Sequence, residues 1–467
     1  MPLRQAHKEF ESRYPGPRGD RQPVHTVYGG AHLFRADTAR RLGEKALQSL
    51  SEYAPDFISF AKAIVLPGAN RLPEEPKAAA ALEKSIATNS EAARKENRPA
   101  WFARTLYYRV REKLQREPVE DFRIDFEDGY GNRPDEEEDQ HAAVVAAEIA
   151  TGMQSGTLSP FIGVRIKPFN EELRSRSVRT LDIFLTELVS RTKGKFPPNF
   201  FITLPKVVIP EEPTALAAVC AKLEPSLGLE KNTLRIELMI ETPQSIFNEQ
   251  GQVNLLPLVT AAQGRCVAAH FGTYDYTASR GITAAYQHMT HQACDFAREV
   301  MQVALAGTGI WLSDGATNIL PVPIHHAAKG SAPLTAEQIS ENRSAVHHAW
   351  KLHFDHIRHS LENAYYQGWD LHPAQLVTRY AAVYSFFLES LDAASERLRN
   401  FVAKAAQATL VGEVFDDAAT GQGLLNYFLR AINCGAITAE ETQSLTGLTQ
   451  GELRTASFVK ILENRKK

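Results

Sequence analysis

Eight times between residues 24 and 371, a short run rich in β-branched and aromatic residues gives way to a longer stretch with helical periodicity. The runs fall at 24–28, 122–126, 161–166, 200–206, 234–240, 266–271, 309–312 and 368–371. Helical segments at 35–53, 135–150, 172–190, 212–223, 255–262, 284–305 and 336–366 separate them. Strict alternation of strand and helix implies parallel pairing, because each crossover returns the chain to the same edge of the sheet. Eight such units close most naturally into a (β/α)8 TIM barrel, an α/β fold. Residues 1–24 are then expected to form an N-terminal arm, and 25–375 the barrel. Extra helices near 77–95 and 101–114 make about 55–117 a helical insertion after the first strand. Beyond Pro373 the alternation stops, so 376–467 is expected to be a C-terminal helical extension or lid.

The fifth run, Leu234-Arg235-Ile236-Glu237-Leu238-Met239-Ile240-Glu241-Thr242-Pro243, shows what is unusual about these strands. Ile236, Leu238 and Ile240 alternate with Arg235, Glu237, Met239 and Glu241 at the two-residue period of a strand, and Pro243 ends it, since proline cannot donate to a ladder. Parallel barrel strands are buried on both faces, so their charges must be paired or solvated in a cavity. Arg123, Asp125 and Glu237 fit a structural ion-pair network inside the barrel. Glu127, Asp128, Arg165, Lys206, Glu241 and Asp275 instead gather at the C-terminal ends of their strands, the face that carries chemistry in this fold. Glu241 and Asp275, on adjacent strands with no Cys or His at ligand spacing, suit a hard cation, Mg2+ or alternatively Mn2+, held by two carboxylates with water and substrate oxygens. An arginine opposite, Arg165, would stabilise negative charge developing on a substrate oxygen. Together they suit enolate chemistry on a 2-oxo acid.

Composition narrows the alternatives. A formal net charge of -3 over 467 residues gives no electrostatic reason to expect nucleic acid or an anionic membrane as partner. Cys220, Cys266, Cys294 and Cys434 are far apart, without CxxC or metal-finger spacing, and read as reduced, buried thiols. The first twenty residues are charged and broken by Pro15, Gly16 and Pro17, unlike a signal peptide. No run approaches the roughly 18 apolar residues of a membrane span. A cytoplasmic protein is expected. His347, His348, His353, His356 and His359 have spacings that admit a metal site, but a solvated helix face is the simpler expectation, and His288 with His291 is read the same way. His325 and His326 follow the seventh strand.

The motifs resemble, in order, those of the HpcH/HpaI aldolase family with its citrate lyase β-subunit-like group, within the pyruvate/phosphoenolpyruvate-type TIM barrel superfamily. Ile124-Asp125-Phe126-Glu127-Asp128-Gly129 is similar to its "LDLEDAV" strand, and Gly163-Val164-Arg165-Ile166-Lys167 to the strand carrying its active-site arginine. Leu204-Pro205-Lys206-Val207 resembles "LPKV", and Ile240-Glu241-Thr242 the "IET" that supplies one metal ligand. His270-Phe271-Gly272-Thr273-Tyr274-Asp275 resembles "FGxxDLAA", whose Asp supplies the second. Leu312-Ser313-Asp314-Gly315, Leu371-His372-Pro373-Ala374-Gln375 and Val414-Phe415-Asp416 are similar to its "IDG", "IHPxQ" and lid "MID".

The resemblance implies a Mg2+-dependent carbon–carbon lyase or aldolase acting on a small oxo- or hydroxy-carboxylate, as the free acid or as its CoA thioester. Glu241 and Asp275 would bind metal. Arg165, Glu127 and Asp128 would serve catalysis, with Asp416 as general acid/base. Lys206, Gly272, Thr273 and His372 would contact substrate, and a homo-oligomer is expected. The chain departs from the family in length, through 55–117 and extra residues around 287–308 and 324–335. Its first strand ends Tyr28-Gly29-Gly30-Ala31 where the family has "vPG". Two rivals stand beside this reading. A malate-synthase-like enzyme would condense acetyl-CoA with a 2-oxo acid, and release of free CoA with glyoxylate would identify it. A non-catalytic barrel serving as an assembly subunit would show no Mg2+ dependence of stability.

Overall fold

Eight parallel strands close into a barrel: β1 (His25–Gly30), β2 (Asp121–Asp125), β3 (Phe161–Arg165), β4 (Phe200–Leu204), β5 (Arg235–Ile240), β6 (Cys266–Phe271), β7 (Trp311–Ala316) and β8 (Gln367–Asp370). Each pairs with the next in sequence, and β8 returns to β1 through His25 opposite Gly368 and Val27 opposite Asp370. The computed structural model describes residues 2–16, 18–327, 332–403, 409–411, 414–416, 418–455, 460–461 and 464–465. Crossover helices include Thr38–Tyr53, Asp135–Ser155, Arg174–Thr192, Glu211–Ser226, Gln292–Leu305 and Ala336–Glu362. The acidic run Asp135 to Glu138 occupies the first turn of its helix, where the helix dipole favours negative charge.

The chain divides into two compact units. The barrel unit comprises Met1–Pro17, Pro23–Tyr53 and Glu112–Val377; the second comprises Arg18–Gln22, Ala54–Arg111 and Thr378–Lys467. Residues 2–13, within the expected arm, form a helix. In the second unit, helices of the insertion are tied to C-terminal helices by ion pairs Arg94–Asp392 and Arg109–Glu441. That unit also carries a small antiparallel hairpin, β9 (Thr409–Val411) with β10 (Val414–Asp416). No helix among the described residues is long and apolar enough to cross a membrane.

The inward faces of the strands are unusually polar. Arg123 lies between Asp121 (2.9 Å) and Glu237 (3.3 Å), with its guanidinium 4.6 Å from the Phe201 ring centroid. Thr203 donates to Glu237 at 2.8 Å, and Tyr28 does so at 3.4 Å. Gly163 makes room for this group: a Cβ there would lie 2.8 Å from Arg123 Nη1. Below it, Phe161, Phe201 and Trp311 fill the barrel floor.

Several sequence expectations change. The seventh strand is Trp311–Ala316, not 309–312, so Ser313-Asp314-Gly315 lies within it. Asp314 looks polar enough to end a strand but is satisfied on the outer face by Arg298 at 2.8 Å and Ser360 at 2.6 Å. The expected helix 284–305 resolves into a 3-10 turn, Ala284–Tyr286, and the helix Gln292–Leu305, whose N-cap His291 accepts from the Ala293 N–H. The His-bearing helix is solvated only in part: His348 is exposed and His347 and His359 are half-buried. His353 and His356 are buried, paired with Asp370 (3.1 Å) and Thr317 (2.9 Å), because this helix packs on β7 and β8. Asp125 leaves the interior network assigned to it and pairs at the rim. The four cysteines are buried and free.

Candidate active site

The C-terminal ends of β2 to β6 bring five carboxylates and two cations together. Arg165, at the end of β3, is held in the plane of Asp125: Nε donates to Oδ1 at 2.8 Å and Nη2 to Oδ2 at 2.5 Å. Asp125 has capacity left for the backbone N–H groups of Glu127 (2.9 Å) and Gly129 (2.7 Å), so the loop after β2 fixes the clamp that fixes the arginine. The guanidinium also stacks on Tyr28 (4.7 Å) and Trp369 (5.6 Å) and approaches Glu127 at 3.2 Å. Its side chain is 3% exposed, a positive charge locked in a dry site.

Lys206 follows Pro205 just beyond β4 and has a left-handed backbone, φ +52°. Its N–H donates to Glu241 Oε1 at 2.7 Å. Its ammonium bonds Glu127, lies 3.1 Å from Asp128 and stands 3.9 Å from Asp275 Oδ1. Glu241 sits one residue past β5 and is buried. Gly272, the residue before the short helix Thr273–Ser279, packs against it so closely that a Cβ would meet Glu241 Oε2 at 2.5 Å. Gly315 on β7 is likewise required, since its Cβ would lie 2.1 Å from Thr273 Oγ1. Thr273 Oγ1 is buried without a hydrogen-bond partner.

Electrostatics separate these acids. Burial, together with the neighbouring charge of Asp275, pushes Glu241 up to about 7. Glu127 is raised as well, burial outweighing Arg165 and Lys206. For Asp128 the balance reverses: burial acts upward, but Lys206 and Arg165 hold it below the ordinary carboxylate range. Burial would lower Lys206, and Glu127 more than compensates, so the ammonium stays charged. Asp125, Glu127, Asp128, Glu241 and Asp275 outnumber Arg165 and Lys206. That excess of negative charge, with Glu241 unable to ionise comfortably, is what a divalent cation would relieve. Among the described residues no three His, Cys, Asp or Glu side chains are grouped to hold a metal ion. Glu241 and Asp275, close enough for the charge of Asp275 to act on Glu241, are the carboxylates that could hold such an ion, since Mg2+ is bound through one or two carboxylates with water and substrate oxygens.

His372 stands apart from this cluster. It lines a cavity of about 330 Å3 bounded by β1, the helix Thr38–Tyr53 and the turn after β8, with Arg41, Lys45 and an apolar wall of Leu33, Phe34 and Leu42. Asp416 ends β10, where its Cα partner is Thr409; its side chain lies outside the described residues. Sequence reasoning missed Asp121, the interior partner of Arg123, and the aromatic bed of Tyr28 and Trp369 beneath Arg165. Strand alternation carried the signal, because both rings occupy inward positions. It also missed His270, buried on β6 between these rings, whose two ring nitrogens have no hydrogen-bond partner among the described residues.

The fold is a (β/α)8 TIM barrel with a charged rim at the C-terminal ends of its strands. A citrate lyase from Burkholderia xenovorans is similar at 18% identity over 73% of this chain and 92% of that one, with a TM-score of 0.52. The CitE protein of Mycobacterium tuberculosis, in complex with magnesium, acetoacetate and coenzyme A, matches at 13% identity over 71% and 95%, TM-score 0.43. A malate synthase of Haloferax volcanii matches at 14% over 68% and 80%, TM-score 0.40. At 18% identity the first of these speaks to the fold alone, and the other two carry no argument. No curated protein matches the sequence. The chain belongs to the family described as Domain of unknown function (DUF6986), whose model matches residues 3–461.

Proposed function

We propose that this protein is a Mg2+-dependent carbon–carbon lyase or aldolase of the HpcH/HpaI type, acting on a small oxo- or hydroxy-carboxylate or its CoA thioester. The observation that carries the reading is the charge arrangement at the rim. Five carboxylates surround one immobile arginine and one lysine at the end of the barrel where substrates enter. A divalent cation on Glu241 and Asp275 would polarise the substrate carbonyl and bind its carboxylate. Arg165, oriented by Asp125 and shielded by Tyr28 and Trp369, supplies fixed positive charge for the oxyanion that forms when the carbon–carbon bond breaks. Glu127 and Asp128 orient water and steady Lys206. Asp416 is the proposed general acid/base. The cavity lined by Arg41, Lys45 and His372 suits the anionic tail of a thioester, an apolar wall beside the cations Arg41 and Lys45.

Glu241→Gln is the direct test. Turnover of a panel of 2-oxo and 3-hydroxy acids and their CoA thioesters, with Mg2+ present, should fall to background. The circular dichroism spectrum should stay that of wild type. A variant that turns over at the wild-type rate refutes the assignment.

A further inference from the structure

The two cations at the rim differ in exposure. Arg165 is 3% exposed and fixed by both Asp125 oxygens, whereas the Lys206 side chain is 31% exposed. Lys206 alone touches four of the five carboxylates: Glu241 through its N–H, and Glu127, Asp128 and Asp275 through its ammonium. Its contacts are graded, with 3.1 Å to Asp128 and 3.9 Å to Asp275. The backbone pays for this placement, since φ +52° is a conformation that a residue with a Cβ adopts only when its surroundings impose it. The left-handed turn after Pro205 accounts for both roles. It aims the N–H at Glu241 while sending the side chain toward the loop after β2.

We propose that the Lys206 ammonium is a built-in counter-cation for the metal pair. It holds Asp275 and its neighbours together in the metal-free protein, and a divalent ion enters by displacing it from Asp275. The inference rests on Glu241 and Asp275 being the metal pair. Without a cation near them, two adjacent carboxylates repel, and the short helix bearing Asp275 would be pushed from β5. When a divalent ion arrives, its charge repels the ammonium, which retains Glu127 and Asp128. The carboxylate pair is thus preorganised before the metal binds, at the expense of affinity for it.

The experiment is a calorimetric Mn2+ titration of metal-stripped full-length protein, comparing wild type, Lys206→Met and a control. The control is Arg280→Met, which removes an exposed cation from the end of the helix that carries Asp275. Lys206→Met should bind Mn2+ about tenfold more tightly or better, while Arg280→Met stays within about twofold, because exposed charge is screened. Stripped Lys206→Met should also melt below wild type and gain more on Mn2+ saturation. Lys206→Asn, a residue type that tolerates the left-handed backbone, gives the same readout should the methionine variant not fold. Wild-type binding that neither Lys206 variant strengthens, or an equal gain in Arg280→Met, overturns this inference and leaves the metal pair standing. No binding in any variant overturns both.

Discussion

Two charged layers lie one above the other in the same barrel, and they behave as opposites. In the lower layer Arg123 is enclosed by Asp121 and Glu237, with Thr203 and Tyr28 as further partners of Glu237. Arg123, Asp121 and Glu237 are all buried, and both carboxylates pair with the one arginine. Burial raises Asp121 to about 7, while Arg123 and other partners outweigh burial to keep Glu237 low. In the upper layer five acids face two bases, and unlike any carboxylate of the lower layer Asp128 and Asp275 reach solvent. Glu237 and Glu241 sit four residues apart on one strand face, yet one is a structural partner and the other an uncompensated acid. A closed set of ion pairs holds a fold, whereas an open set at a rim holds a place for a ligand.

The comparison can be broken first at Arg123. Arg123→Met leaves Glu237 buried without its cation, and unfolding free energy by denaturant titration should drop by about 3–5 kcal/mol. A loss no larger than that of a surface substitution would make the lower layer as open as the upper. Neutralising an acid in the upper layer should have the reverse sign. Glu241 has a folded pKa of about 7, above its ordinary value, so its ionised form destabilises the metal-free fold as pH rises past the ordinary carboxylate range. Metal-free Glu241→Gln at pH 8 should therefore melt higher than wild type, by an amount equivalent to about 1–3 kcal/mol.

The smallest effect sharpens the boundary between the layers. Burial lowers His270 to about 4, with Glu237 pulling it back up and Arg123 pushing it down. Such a histidine contributes no penalty above its ordinary pKa. As pH falls through that value the unfolded chain takes up a proton that the folded chain refuses. The stability of wild type relative to His270→Gln should thus shrink by about 1–2 kcal/mol between pH 7.5 and pH 5. A difference that stays flat would mean that the histidine is not held neutral in the fold.

Much of the architecture is legible without coordinates, because strand and helix periods are local properties. The eight repeats, Glu127, Glu241 and Arg165 follow from alternation along single strands, and Asp128 and Asp275 from their place just beyond a strand end. What alternation could not give is which charge meets which. Asp125 reads as a member of the interior network with Arg123 and Glu237, but a strand offset places it against Arg165, while Asp121 takes the interior place. Asp314 reads as a loop residue because its partner Arg298 lies in a helix sixteen positions earlier. His353 and His356 of Ala336–Glu362 read as solvated because their partners, Asp370 and Thr317, are distant in sequence.

The sequence by itself determined the barrel, the polarity of the strands' inward faces and the residue types at their C-terminal ends. Only the tertiary structure decided that Lys206 spans four carboxylates, that Asp125 clamps Arg165, and that His372 belongs to a different cavity. The physical reason is that periodicity assigns a side chain to a face, whereas pairing depends on the stagger between strands and on loops that turn a backbone left-handed. Those are properties of the closed barrel, and no single strand contains them.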